Sequence, residues 1–345
     1  MAREGTSLPW TQDGPRPRLR RLGATVRRRA GAAVTDGFFR TATRVGRLHP
    51  LARPDRHGVE VVRDVPYRED GPCVLALDVY RPRTRSGLVP TVLYLHGGGF
   101  RILSKDSHWM MGIAFARRGF ATFVVDYRLA PRHRYPAAVD DAAAAYAWVV
   151  RHAERYGGDP RRLVVAGESA GANLATVLTL AACYERPETI ARRVWDTGVR
   201  PVATIAACGM LQVSDPERFR RRRNLPAYLV DRLTEVRDAY LGVPGRGGLV
   251  EAPLADPLCL LEEGGPPPRP LPPFFAPVGT RDPLLDDTRR LARAVERLGG
   301  TCRASYYPGQ IHAFHAFMLT KAARACWAET FEFLEQVGVA PSRPG

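Results

Sequence analysis

Short apolar segments alternate with longer helical segments over most of this chain, and the alternation constrains the fold more than any other feature. Apolar runs of strand length occur at 91–95, 121–126, 163–166, 202–207 and 274–278. Segments with helical spacing of apolar residues occupy 137–156, 170–184, 284–298 and 315–337. Strands that alternate with helices in this way form a mostly parallel sheet covered by helices on both faces. The sequence therefore predicts an α/β fold.

Two further segments complete the predicted organisation of the body. Residues 59–65 and 74–80 precede the alternating region and have the pattern of an antiparallel strand pair. Residues 209–270 separate two core strands and end in a stretch with four prolines within 266–270. We interpret 209–270 as an insertion into a single domain that extends over 58–345.

The first 57 residues differ in composition from the rest of the chain. They hold 13 arginines against four acidic residues, which contributes +9 to the net charge of +16. Prolines and arginines make the first twenty residues poor candidates for packed structure. From Leu19, apolar Leu22, Val26, Ala30 and Ala33 recur every three or four residues, which predicts a basic amphipathic helix. We expect it to pack on the body, with weak contact to an anionic membrane surface as the alternative.

Composition also limits the classes of partner and compartment. Aromatic residues are sparse among the N-terminal arginines, so nucleic-acid binding is not expected despite the positive charge. The six cysteines include no Cys-x-x-Cys pair, which favours reduced thiols and no metal site. No apolar run approaches 18 residues, and no leader with an apolar core is visible, so a cytoplasmic location is expected. The oligomeric state stays open, with a dimer as one alternative.

Two glycine-rich motifs carry the chemistry that the sequence suggests. His-Gly-Gly-Gly-Phe occupies 96–100 and Gly-Glu-Ser-Ala-Gly occupies 167–171, each directly after an apolar run. The first can turn backbone N–H groups toward a forming oxyanion. The second can hold Ser169 on a strained strand-to-helix turn, because its glycines permit close backbone packing. Ser169 is the candidate nucleophile, and a serine that only caps the next helix is the alternative.

A serine nucleophile needs a base, and the base needs an acid that fixes its tautomer. Asp282 and His312 follow Ser169 in that order, at intervals of 113 and 30 residues. We expect both on loops at the carboxyl ends of the strands. His315 is an alternative base. Asp286 and Asp287 are alternative acids, although they fall within a predicted helix and are typical of solvated first-turn residues.

Four motifs taken together resemble one enzyme family. They are the glycine motif at 96–100, Asp-Tyr-Arg-Leu-Ala-Pro at 126–131 with Tyr-Pro-Ala-Ala at 135–138, the serine motif at 167–171, and Asp-Pro-Leu at 282–284 followed by Tyr-Pro-Gly-Gln-Ile-His at 307–312. In this order they resemble the hormone-sensitive-lipase-like branch of the α/β-hydrolase superfamily, over nearly all of 57–336.

The resemblance implies an α/β-hydrolase fold, with a helical cap formed by the N-terminal helix and the 209–270 insertion. It also implies that the N–H groups of Gly98, Gly99 and Ala170 form an oxyanion hole, and that no cofactor or metal is required. The sequence departs from the family pattern at Arg132, where an acid often stands, and at Ala313, where a glycine commonly follows the histidine.

The expected activity is that of a serine carboxylesterase, which hydrolyses short- to medium-chain esters through an acyl-enzyme. An amidase or deacetylase, or a lactone hydrolase, would use the same three residues, because a fold does not fix a substrate. A non-catalytic ligand-binding receptor on the same fold is a further alternative. The basic run Arg218–Arg223 is either a solvated helix face or an attraction for an anionic ligand.

Overall fold

A computed structural model of the protein describes residues 52–69, 73–84, 87–223, 225–243 and 251–339, together with positions 37 and 41. The predicted amphipathic helix between 19 and 33 lies outside the described residues. Before the sheet, the described chain begins with a short 3-10 helix, Pro54–His57. Among the helices in these ranges, none has the length and apolar character needed to cross a membrane.

Eight strands within the described residues form one sheet. In chain order they are β1 Val59–Arg68, β2 Leu75–Pro82, β3 Val89–Leu95, β4 Ala121–Val125, β5 Gly158–Glu168, β6 Ala203–Ala207, β7 Phe274–Gly279 and β8 Cys302–Tyr307. Their spatial order is β1-β2-β4-β3-β5-β6-β7-β8. β2 pairs antiparallel with β1 and β4, and all other neighbours are parallel. The predicted mostly parallel sheet is confirmed, as is its antiparallel first pair.

Nine α-helices occur in the same described ranges. They are α1 Trp109–Ala116, α2 Ala137–His152, α3 Ala170–Cys183, α4 Thr189–Trp195, α5 Arg218–Arg223, α6 Ala227–Leu241, α7 Pro257–Glu263, α8 Leu285–Arg297 and α9 Lys321–Gln336. Three of them, α5, α6 and α7, belong to the segment 209–270 between β6 and β7. The predicted helices at 137–156, 170–184 and 284–298 correspond to α2, α3 and α8.

The central strand β3 is buried along its whole length because helices cover both faces of the sheet. Its side chains alternate between two apolar clusters, as the two-residue period of a strand requires. Leu93 and Leu95 belong to the cluster that includes side chains of α2 and α3, whereas Val92 and Tyr94 belong to the cluster on the side of α1 and α9. The core therefore lies on both sides of the strands that lead into the candidate site.

The sequence prediction did not include α1, α4 or the individual helices of the insertion, and it was wrong at two further elements. It missed β8, because this edge strand has no apolar run and almost all of its residues are partly exposed. It also began the last helix too early, at His315 instead of Lys321. The Thr320 hydroxyl accepts a hydrogen bond from the Ala323 N–H at 3.2 Å, and this cap starts α9 there.

Candidate active site

The Ser169 turn joins β5 to α3 in a backbone conformation that few side chains adopt, with φ 54° and ψ −114°. The flanking glycines are required for packing. A Cβ on Gly167 would lie 2.4 Å from the backbone of Gly171, and one on Gly171 would lie 2.0 Å from the Leu95 carbonyl oxygen. These distances are far below van der Waals contact, so the turn excludes larger residues. It holds Ser169 under backbone strain at the carboxyl end of β5.

Ser169, His312 and Asp282 lie in one hydrogen-bonded row. His312 Nε2 lies 3.0 Å from Ser169 Oγ, and His312 Nδ1 lies 2.9 Å from Asp282 Oδ2. Asp282 is fully buried, and its other oxygen accepts a hydrogen bond from the Leu284 N–H at 2.8 Å. A carboxylate on Nδ1 keeps the Nε2 lone pair directed at the hydroxyl, which is the arrangement that activates a serine.

The acid loop and the base loop are joined through their backbones. The Arg281 N–H donates to the Gln310 carbonyl at 3.0 Å, and the Gly309 N–H donates to the Thr280 hydroxyl at 2.8 Å. Gly279 has no room for a side chain, since a Cβ there would lie 2.1 Å from the Gln310 oxygen. These contacts between the loops after β7 and β8 therefore fix the position of His312 relative to Asp282.

The charges around His312 stabilise the protonated form of its imidazole. Burial alone would lower the pKa of the imidazole, but the Asp282 carboxylate raises it well above the ordinary value of 6.5. The Cys208 thiol also lies close to this histidine. Because a buried thiol is neutral at ordinary pH, and burial raises the pKa of Cys208 further, the carboxylate is the charge that accounts for the shift.

The loop after β3 carries the glycines of the first motif. Gly98 has φ 106°, and a Cβ there would lie 2.1 Å from the Ile102 carbonyl oxygen. Gly99 has φ 59°, and its Cβ would lie 2.8 Å from Val236 of α6. Ala170 is the first residue of α3, where backbone N–H groups have no acceptor within the helix. The backbone N–H groups of Gly98, Gly99 and Ala170 therefore remain the candidates for the oxyanion hole.

The insertion packs directly on the glycine loop. The rings of Phe100 and Tyr240 stack at 3.9 Å between centroids, and Arg101 forms an ion pair with Glu235 at 2.8 Å. In the first turn of α3, the buried Asn173 amide donates to the carbonyls of Met210 and Ala255 at 2.8 and 2.9 Å. The insertion is thus fixed both to the glycine loop and to α3, the helix that follows the nucleophile.

Backbone strain is concentrated around the same loops. Among the described residues, the non-glycine positions with positive φ are Asp64, Phe100, Leu103, Ser169, Cys208 and Ala313. All but the first follow the carboxyl end of a parallel strand. At Ala313 the φ of 55° is one that glycine adopts freely, so the departure from the family pattern keeps the backbone conformation at a cost of about 1 kcal/mol.

A buried cluster behind the nucleophile was not predicted from the sequence. Glu168 Oε1 lies 2.5 Å from His108 Nε2, while Glu168 Oε2 lies 2.8 Å from His315 Nε2 and 3.2 Å from the Tyr94 hydroxyl. The one available signal was a charged residue within a buried strand, which needs a partner. The partner His108 is 60 residues away, too distant for any local pattern to indicate.

The alternative site residues lie elsewhere. His315 is bound to Glu168 and not to Ser169. Asp286 is on the first turn of α8, where it pairs with Arg289 at 3.3 Å. Asp287 is fully buried, contrary to the expected solvated position, and it pairs with Arg218 at 2.6 Å. Of the three candidate acids, Asp282 is the one that contacts His312.

The arginines of α5 differ in how far they are exposed to solvent. Arg218 is buried against Asp287, so the interpretation of the whole run as a solvated face was wrong for this residue. Arg220 and Arg221 are exposed and pair with the nearby acids Glu217 and Asp215.

One group of metal-ligand type occurs within the described ranges. The ligand atoms of Cys208, Asp282 and His312 all lie within 4.8 Å of one another. His312 and Asp282 already share a hydrogen bond at 2.9 Å, which an ion would have to displace. We therefore assign the group to the hydrogen-bonded row.

His96 of the glycine motif is buried and anchored. Its ring stacks on Tyr127 at 4.1 Å between centroids, and Nδ1 donates to the Gly97 carbonyl at 2.7 Å. Burial, with a smaller effect of the neighbouring His108, lowers the pKa of His96 to about 3. A neutral, stacked imidazole of this kind supports the loop and is poorly suited to carry protons.

Comparisons with known proteins identify the family to which the fold belongs. A family model described as the alpha/beta hydrolase fold matches residues 92–316. Carboxylesterase NlhH of Mycobacterium tuberculosis is 34% identical over 263 residues, which cover 74% of this chain and 76% of that protein. Ethyl acetate hydrolase of Pseudomonas putida is 32% identical over 252 residues, with coverage of 70% and 71%.

Solved structures give the same result in three dimensions. An esterase of Pyrobaculum calidifontis superposes with a TM-score of 0.69 at 25% identity, over 90% of this chain and 94% of that one. The esterase LipW of Mycobacterium marinum superposes with a TM-score of 0.66 at 27% identity, over 92% of this chain and 88% of that one.

Proposed function

The chain belongs to the α/β hydrolase fold family, and from this membership we propose that it is a serine carboxylesterase for short- to medium-chain carboxylic esters. Both the predicted fold and the predicted relation to hormone-sensitive-lipase-like esterases are confirmed. The observation that most supports the proposed mechanism is the row Ser169–His312–Asp282, with hydrogen bonds of 3.0 and 2.9 Å.

In the acylation step, Ser169 Oγ attacks the ester carbonyl carbon while His312 Nε2 takes the hydroxyl proton. The carbonyl oxygen becomes an oxyanion that accepts hydrogen bonds from the N–H groups of Gly98, Gly99 and Ala170. The tetrahedral intermediate then collapses, and the alcohol leaves with the proton held by His312. Asp282 stays ionised and stabilises the imidazolium throughout.

In the deacylation step, His312 takes a proton from water, and the resulting hydroxide attacks the acyl carbon. The second tetrahedral intermediate uses the same backbone N–H groups. Its collapse releases the carboxylic acid, and the proton on His312 returns to Ser169 Oγ. Every step uses residues of this chain, so the proposed mechanism requires no cofactor.

The same mechanism would cleave an amide or a lactone, so substrate class needs a direct test. We expect nitrophenyl esters with acyl chains of two to eight carbons to be hydrolysed at rates that peak at a short or medium length. Matched nitroanilides should react far more slowly, because the amine is a poorer leaving group. Anilide turnover that exceeded ester turnover across the series would replace the esterase proposal with an amidase.

The proposed cap consists of the 209–270 insertion with the N-terminal helix. Its support is the packing of α6 on the glycine loop through Phe100 and Tyr240. A cap in that position would limit the length of the acyl or alcohol group that reaches Ser169. Of these two segments, only the insertion belongs to the described part of the chain, at 209–223, 225–243 and 251–270.

The proposal also covers the partners of the protein and its location in the cell. A small ester is the expected partner, and weak membrane contact through the basic N-terminus stays an expectation about residues outside the described ranges. A dimer stays one alternative for the oligomeric state. All six cysteines are free thiols, which supports a reducing compartment such as the cytoplasm.

A further inference from the structure

Glu168 directly precedes Ser169, and its side chain is buried behind the nucleophile turn with 5% of its surface exposed. It contacts groups from three other parts of the site: Tyr94 on β3, His108 at the start of α1, and His315 beyond the base loop. Burial alone would raise the pKa of Glu168, but His108 and His315 hold it well below its usual range. The carboxylate is therefore ionised and accepts all three hydrogen bonds.

His315 is held through one ring nitrogen only. Its Nε2–H donates to Glu168 Oε2 at 2.8 Å, whereas the buried Nδ1 has no hydrogen-bond partner among the described residues. His315 belongs to the short 3-10 helix Phe314–Ala316, which begins two residues after His312. The Trp327 Nε1–H donates to the His315 carbonyl at 3.1 Å and so joins this turn to α9.

Glu168 also packs against the first residue of the glycine loop. A Cβ on Gly97 would lie 3.0 Å from Glu168 Cγ, so the carboxylate side chain packs against the backbone that leads into Gly98. One ionised group at the end of the nucleophile strand thus contacts Tyr94 on β3, His315 beyond the base loop and the start of the glycine loop.

We infer that Glu168 and His315 are positioning residues that set the distance between Ser169 and His312. The inference rests on the proposed function, because it assumes that His312 is the base. The Glu168–His315 hydrogen bond of 2.8 Å ties the base loop to the residue next to the nucleophile. If the loop moved, the buried Glu168 carboxylate would lose one of its hydrogen-bond partners, which makes any other position of the loop costly. A displacement of about 1 Å in such a pair costs on the order of 100-fold in rate.

The test compares His315→Leu with His315→Gln in the full-length enzyme. Leucine fills the space but cannot donate to Glu168, whereas the glutamine amide can place an N–H where Nε2 stood. We expect His315→Leu to lower kcat by about 10- to 100-fold with KM changed by less than about 3-fold, because positioning affects the reacting atoms and not substrate binding. His315→Gln should restore kcat to within about 5-fold of wild type on the same grounds.

Asp141→Asn serves as the matched control for loss of a buried carboxylate. Asp141 is fully buried and is paired with Arg68 and Arg128 on the side of the sheet that α2 covers. This variant should lose stability yet keep kcat and KM near wild-type values. Circular dichroism and thermal unfolding establish for each variant that the protein is folded.

A folded His315→Leu variant with wild-type kcat would overturn the inference, and so would a glutamine variant as slow as the leucine one. If the leucine variant does not fold, Glu168→Gln decides, because it is isosteric but presents an N–H donor to one of the histidines. A kcat loss with unchanged KM supports the inference there, and wild-type kcat contradicts it. Failure of the proposed function is a separate outcome, namely wild-type protein without ester turnover.

Discussion

At the scale of single residues, the site depends on glycines whose missing side chains permit close backbone contact. Gly98 combines φ 106° with a carbonyl oxygen, that of Ile102, 2.1 Å from where a Cβ would stand. A side chain there would displace the loop and move its N–H groups away from the oxyanion. Since hydrogen bonds weaken steeply with poor geometry, the effect on the rate should be large.

We predict that Gly98→Ala lowers kcat by about 100- to 1000-fold, the usual cost of one lost oxyanion donor. Gly58→Ala is the matched control, because Gly58 also has a positive φ, 64°, but nothing lies within 4 Å of a Cβ there. The control should lose about 1 kcal/mol of stability and retain full kcat. Equal kcat values for the two variants would contradict the role of the glycine loop.

A second prediction at this scale concerns pH. Because Asp282 raises the pKa of His312 well above 6.5, the base form is present only above that raised pKa. The acid limb of kcat/KM should therefore lie above pH 6.5, and activity should fall as pH drops through it. Asp282→Asn removes the charge, so its limb should move to lower pH.

The measurement is kcat/KM for a nitrophenyl ester from pH 5 to 10 in both proteins, with kcat of the asparagine variant expected to fall by about 10,000-fold. Asp286→Asn is the control, because Asp286 pairs with Arg289 on α8 and not with His312. An acid limb in the same place for wild type and Asp282→Asn would show that this carboxylate does not act on the base.

The three hydrogen-bonded site residues could be predicted from sequence, because each one lies in a recognisable motif and the motifs follow a fixed order along the chain. Ser169, Asp282 and His312 were proposed in this way, and the structure brings them within hydrogen-bond distance. Partners such as His108 could not be predicted, because its contact with Glu168 depends on how the chain after β3 folds back over β5. No local pattern of residues in the sequence indicates that contact.

At the scale of elements, a buried ion pair fixes the insertion to α8. Arg218 of α5 donates to Asp287 of α8, and both side chains are buried. Burial raises the pKa of Asp287 in spite of Arg218 and Arg290, which indicates that the charge is costly to bury. Removing Arg218 would leave this carboxylate poorly compensated.

We therefore predict that Arg218→Met destabilises the protein by about 3 to 5 kcal/mol, as measured by urea denaturation. Arg221→Met is the matched control on the same helix, because the Arg221 side chain is 63% exposed beside Asp215. Its loss should cost at most about 1 kcal/mol. Similar midpoints for the two variants would mean that the buried pair does not hold the insertion in place.

The elements themselves could be predicted where the apolar pattern is strong. β3 and β5 have continuous apolar runs because both faces of the central sheet are covered. β8 lies at the edge, alternates Arg303 and Ser305 with apolar residues, and so resembles a loop in sequence. The helices of the insertion were not placed individually either, since their packing on Phe100 and Asn173 is long-range.

At the scale of the whole molecule, the parallel sheet brings distant segments together. The loops after β3, β5, β7 and β8 all leave the same edge, because the carboxyl ends of parallel strands face one way. This topology places His312 beside Ser169 although they are 143 residues apart. The fold class could be predicted from alternation alone, whereas the spatial order of the strands required the structure.

Labelling with a fluorophosphonate tests whether these loops converge on one reactive serine. Wild-type protein is treated with the reagent, digested, and mapped by mass spectrometry, beside Ser169→Ala and His312→Ala. We expect one adduct, on Ser169, that is absent from Ser169→Ala and forms much more slowly in His312→Ala. An adduct on another residue, or equal labelling of all three proteins, would contradict it.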